Sequence, residues 1–124
     1  MKLASNRQYM ITAFRDWLND QNCTPQIIVD TNVNGVKVPD GFAAQDGRLC
    51  LDISSKMVLD YKFDRSCLHF RAQFKGQMHN IVLPLQSILS INCKENSWAT
   101  WFSVFDDNNL VSAPKPPPSL RVEE

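Results

Sequence analysis

Apolar residues recur at helical spacing near the start of the chain. In "SNRQYMITAFRDWLNDQN", Met10, Phe14, Trp17 and Leu18 fall at i, i+4, i+7 and i+8, on one face of a helix. Ser5, followed three residues later by Gln8, forms a capping-box pattern at its start. Adding Tyr9, Ile11 and Ala13 widens the apolar arc to about 200°, against the ~100° stripe that suffices for a surface helix. Two arrangements fit that width. The helix docks on its domain and also meets a partner, most simply a second copy of the chain, or it sinks deeply into its own domain. Thr24-Pro25 is the expected stop.

The period then changes. "QIIVDT" is a compact apolar strand, and "RLCLDIS" and "MVLDYKF" follow a turn-rich stretch with a short strand expected at Val36-Lys37-Val38. "CLHFRAQF" alternates most cleanly, with Leu68, Phe70, Ala72 and Phe74 on one side and His69, Arg71 and Gln73 on the other. "HNIVLPL", "SILSINC" and "WATWFSVF" complete the set. Short strands separated by turns predict a mainly β fold with an N-terminal helix, a small antiparallel sandwich or partly open barrel. The pattern dissolves near Asp106. This predicts a helix-plus-barrel domain over 1–105 and an extended, flexible Pro-rich tail over 106–124.

Composition narrows the function. The chain has 124 residues, 44% of them hydrophobic and 21% charged, which fits one modest globular core. Lys plus Arg equals Asp plus Glu, so the formal charge is zero, which counts against a general nucleic-acid binder. No apolar run approaches the ~20 residues needed to span a bilayer. The start, "MKLASNRQYM", carries no apolar signal segment, so a cytoplasmic location is expected. Cys23, Cys50, Cys67 and Cys93 form no CxxC pair and are expected to be reduced thiols packed as small hydrophobes.

No catalytic constellation emerges. His69 and His79 are the two histidines, and neither has an obvious set of further metal ligands. GxSxG, HExxH, Walker A and GxGxxG patterns are missing. Asp16 and Asp20 lie one helical turn apart, a spacing more typical of a solvated face than of an acid pair. The expectation is a binding protein with no cofactor or metal.

Three features suit binding. The helix is broadly apolar. In "FRAQFKG", small Ala72 sits between Phe70 and Phe74, which makes either a shallow slot for an extended peptide or simply a core strand. Pro116-Pro117-Pro118 precede Leu120-Arg121-Val122, which is either an anchor on a polyproline spacer or an idle terminus.

Together, "RQYMITAFRDWL", "TPQIIVD", "GVKVP", "HFRAQFKG", "VLPLQSILSI" with Glu95, and the final "PSLRV" resemble the stringent starvation protein B (SspB) family. These are bacterial adaptors that deliver tagged substrates to the ClpXP protease. The resemblance implies an Sm-like β-domain and a homodimer, with Tyr9, Ala13 and Trp17 in its interface. It implies a groove for ssrA-tagged polypeptides at Ala72, with Phe70, Arg71, Gln73 and Phe74 as neighbouring contacts. It also implies docking of Leu120-Arg121-Val122 on the N-terminal domain of ClpX. Two departures stand out. The linker is short and Pro-rich, reaching roughly 40 Å from Ser112 if fully extended, and Glu123-Glu124 stand where the family has an aliphatic residue and a lysine. The alternative is a small barrel that binds RNA through Phe70, Arg71, Phe74 and Lys75, although Asp52, Asp60 and Asp64 dilute that patch.

Overall fold

The computed structural model describes residues 5–102. Helix α1 spans Arg7–Asp20. Its start differs from the expected capping box: Asn6 is the N-cap and makes no side-chain cap bond, while the Ser5 hydroxyl accepts the Arg7 N–H. Its end comes earlier than Thr24-Pro25. Asn22 turns left-handed (φ 57°), Cys23 N–H donates to Leu18 O, and Asn22 N–H donates to Asn19 O. That is a Schellman motif with asparagine in the position usually held by glycine.

Seven strands follow among the described residues: β1 (Pro25–Asp30), β2 (Arg48–Asp52), β3 (Val58–Asp64), β4 (Cys67–Phe74), β5 (Gln77–Pro84), β6 (Ile88–Cys93) and β7 (Ala99–Trp101). They form two antiparallel sheets, ordered β2-β1-β6-β7 and β3-β4-β5. Pro25 opens β1, where a missing N–H is tolerated. The expected strand at residues 36–38 shrinks to one bridge, in which Lys37 and Val82 exchange both backbone bonds (2.8 and 3.1 Å). Of the expected "WATWFSVF" strand, Ala99–Trp101 form β7, Trp98 and Phe102 flank it outside the strand, and residues 103–105 lie outside the described residues.

Turn chemistry fixes the three-stranded sheet. Arg65 and Ser66 both take positive φ in the β3–β4 turn, as do Lys75 and Gly76 in the β4–β5 turn. Paired positive φ matches the twist of a tight hairpin, and Gly76 adopts it without steric cost.

The core lies between the sheets. Ile27, Val29, Leu49, Leu51, Ile88 and Ile91 come from one sheet; Val58, Leu68, Phe70, Ala72, Ile81 and Leu83 come from the other. Ile11 of α1 joins them, fully buried. Among the described residues the sandwich does not close into a barrel. Polar side chains hold α1 against it. The buried Arg7 guanidinium donates to Leu85 O (2.9 Å) and Ile88 O (3.1 Å), satisfying carbonyls where β5 passes into β6. Arg15 donates to Ile53 O and stacks on the Tyr61 ring, whose hydroxyl pairs with Thr12. No helix among the described residues is long and apolar enough to cross a membrane.

Glu95 ties the start of β1 to the end of β6. Its carboxylate accepts the Thr24 hydroxyl (2.6 Å) and the Thr24 N–H (2.7 Å). These bonds, the hydroxyl's foremost, favour the ionised form and lower the Glu95 pKa from 4.5 to about 2. A depressed folded-state value means that the stabilisation is complete above pH 4.5 and is lost as pH falls towards about 2. We therefore expect the melting temperature of the wild type to fall more steeply than that of Glu95→Gln across this window. Parallel curves would show that the Thr24 contact carries no linkage.

Candidate functional site

Strand β4 is the middle of its sheet, paired with β3 on one side and β5 on the other. Its backbone donors and acceptors are therefore used, and no peptide can add to it as a further strand. Whatever binds at β4 meets side chains on one of its faces.

Alternation splits the five candidate residues between those faces. Phe70 and Ala72 turn inward and are 2% and 8% exposed. Phe74 follows them at the sheet's end, half-buried. Arg71 and Gln73 turn outward and are exposed. Ala72 pairs with Val58 across one strand boundary and His79 across the other.

Each face carries a concavity. Beside the inner row, residues 38–42 meet the ends of β4 and β5 around a recess of about 400 Å³. Phe42 and Phe74 pack at 5.2 Å and 58°, and His79 approaches Phe74 edge-on at 5.8 Å. Lys75 sits over the Phe42 ring at 5.4 Å, and Asp40 lies on the rim. Aromatic walls with one cation and one anion suit an extended peptide that buries a side chain and pairs its polar groups.

The outer face holds an open trough of about 750 Å³. Register across the sheet sets Lys37, Val82, His69 and Lys62 in one row and Asn80 beside Arg71 in the next. A bulge in β3, with Asp60 at φ 57°, brings Asp60 within 3.4 Å of Arg71. Three cations against one carboxylate leave the trough positive, a surface that favours acidic ligands. No lining residue on this face is an exposed aromatic; Tyr61 tilts towards α1 and Phe70 lies in the core. RNA recognition by stacking needs aromatics interleaved with cations. Here the strand's alternation puts Arg71 on the face opposite Phe70 and Phe74, and Lys75 alone joins the aromatics, over Phe42.

Lys37, Phe42, Asp60, Lys62 and His79 join these concavities although sequence reasoning did not single them out as binding residues. They come from a loop, a bulge and a neighbouring strand, and no local pattern marks them. "GVKVP" was the nearest signal.

On α1, Tyr9 and Ala13 are exposed, Tyr9 to 68%. Trp17 lies one turn further along the stripe and is 45% exposed. Trp98 of the same chain covers part of it, with centroids 5.1 Å apart and rings nearly perpendicular. Phe14 completes that cluster at 5.0 Å from Trp98. The wide arc thus divides: Ile11 and Leu18 are buried in the domain, and Tyr9, Ala13 and part of Trp17 stay open. Leu120, Arg121 and Val122 lie outside the described residues.

The comparisons with known proteins cover nearly all of this architecture. The family model described as Stringent starvation protein B matches residues 5–119. A curated relative from Haemophilus influenzae, described as a "Stringent starvation protein B homolog", is 30% identical over 112 residues. That alignment takes in 88% of this chain and 74% of the relative. The match runs through the helix, both sheets and the Pro-rich segment beyond them, and the chain belongs to the stringent starvation protein B family.

Proposed function

We propose that this protein is a cytoplasmic adaptor that captures ssrA-tagged polypeptides and tethers them to the ClpXP unfoldase-protease. The match to the family across residues 5–119 carries this reading. The tag's anchor is the aromatic recess at the end of β4, walled by Phe42, Phe74 and His79. Ala72 borders it as the cross-strand partner of His79, and Phe70 lies further along the same row in the core. Arg71 lines the cationic trough, a second surface for acidic parts of a substrate, and Gln73 is exposed on the same face of β4.

Tethering requires no bond chemistry. A substrate held in the recess and a tail held on the ClpX N-terminal domain turn the second encounter into an intramolecular one. Leu120, Arg121 and Val122 supply the tail's contact, and residues 106–118 supply the span. A weak contact suffices, because the linker sets a high local concentration. The direct test is a titration of fluorescent tag peptide into the protein, with and without the ClpX N-terminal domain. Saturable binding that ignores added RNA, with ClpX joining as a third component, is the expected result. Binding of RNA in place of peptide, with a steep salt dependence, would reverse the assignment.

The open Tyr9, Ala13 and Trp17 stripe is the proposed homodimer contact. Two copies pack these rows against each other and remove Tyr9 from water, and two tails per dimer add avidity. Tyr9→Glu with Ala13→Glu places unpaired charges in that contact, which is strongly unfavourable. Folded monomers by light scattering are the expected outcome. An unchanged dimer mass would move the interface elsewhere.

A further inference from the structure

The four cysteines separate into two kinds in the folded chain. Cys50 is exposed on β2 and Cys67 is half-buried at the start of β4. Cys23 and Cys93, distant in sequence, meet where the turn after α1 runs beside the end of β6. Glu95 completes the group. The two sulfur atoms and a carboxylate oxygen of Glu95 all lie within 4.8 Å of one another. Cys93 is 3% exposed, Cys23 is half-buried, and Glu95 is open to solvent.

We propose that Cys23, Cys93 and Glu95 form a binding site for a borderline-soft divalent cation of the zinc type, with water in the fourth position. The donor set fits. Two thiolates select against magnesium and calcium, and a carboxylate is an accepted third ligand for zinc. The geometry also fits. Metal–sulfur bonds of about 2.3 Å and metal–oxygen bonds of about 2.0–2.2 Å put tetrahedral ligands roughly 3.5–3.8 Å apart. Cys93 Sγ already stands 3.5 Å from Glu95 Oε1. The remaining pairs, within 4.8 Å, close by at most about 1.3 Å, a side-chain adjustment.

The surroundings orient the ligands. Thr24 holds Glu95 through both its N–H and its hydroxyl, leaving carboxylate lone pairs for a cation. Ligating carboxylates are commonly fixed by such outer contacts. The backbone is fixed as well, since Lys94 N–H donates to Thr24 O and Cys93 N–H donates to Trp98 O. Burial, then the neighbouring Cys93, raises the Cys23 pKa. Cation uptake releases the two thiol protons to solvent as both sulfurs become thiolates. The loaded site would clamp the exit of α1, and with it the open helix stripe, to the end of β6.

Cobalt(II) is the probe, because its thiolate charge-transfer and tetrahedral d–d bands report donor type and geometry. Full-length protein is reduced with a phosphine, stripped with a chelator and titrated anaerobically with Co²⁺, and Zn²⁺ is then added. One Co²⁺ per chain, a two-thiolate tetrahedral spectrum and its displacement by Zn²⁺ are expected, with a melting temperature raised by several degrees. Cys23→Ser should weaken uptake more than about 100-fold, and Glu95→Gln at least about 10-fold. Cys50→Ser should leave it unchanged. The proposal is overturned if uptake persists in Cys23→Ser, or if the spectrum lacks thiolate bands. It is overturned equally if the reduced protein takes up no Co²⁺ while air oxidation joins Cys23 and Cys93 in a disulfide.

Discussion

With Ala72 replaced by Gln, affinity for the tag peptide is expected to fall at least about 100-fold while the domain stays folded. Ala72 is 8% exposed, between Val58 and His79 on neighbouring strands. A glutamine there has two ways to go. Turning into the core buries an amide without partners, which costs a few kcal/mol. Turning along the strand end puts the amide into the recess, against Phe74 and His79, where the ligand would sit. The second course is the cheaper, so the fold survives with an overpacking cost of roughly 1–3 kcal/mol. Circular dichroism and peptide anisotropy on the same sample separate folding from binding. Arg71→Ala serves as the control on the opposite face and should change peptide affinity only modestly. If Arg71→Ala abolished binding and Ala72→Gln did not, the tag would lie in the outer trough.

Removing residues 119–124 is expected to act on delivery alone. Peptide affinity should match the full chain, because the recess is built from residues 38–42, β4 and β5. Degradation of a tagged substrate by ClpXP, at substrate concentrations well below saturation, should fall about 10- to 100-fold, to the rate without adaptor. The loss is large because tethering multiplies local concentration, and a tether with one end cut supplies none. Glu123 and Glu124 allow a finer test. If the ClpX surface favours a positive or apolar end, replacing both with neutral residues should raise the delivery rate at low adaptor concentration. A full-rate response from the truncated protein would leave Leu120, Arg121 and Val122 without a docking role.

The elements visible in the chain were those written in short-range periodicity. Met10, Phe14 and Leu18 announced α1, and the alternation through Phe70, Ala72 and Phe74 announced β4 and divided its two faces. Strand propensity overreached where pairing partners were missing. Residues 36–38 keep one bridge, because a strand needs a neighbour's backbone as well as its own side chains. The helix end was misplaced for a related reason. Thr24-Pro25 is a strong stop, yet a left-handed Asn22 closes the helix first by satisfying its last carbonyls.

Residue order alone therefore settled the helix, most of the strands, their inward and outward rows and the family. Folding decided which rows met. Phe42 reached Phe74, Lys37 joined the row of His69 and Lys62, Trp98 covered part of Trp17, and Cys23 came to Cys93. Periodicity is set by neighbours a few residues apart, so it survives in a single sequence. Juxtaposition across strands depends on register, turns and the packing of one sheet on the other, and these exist only once the whole chain has closed on its core.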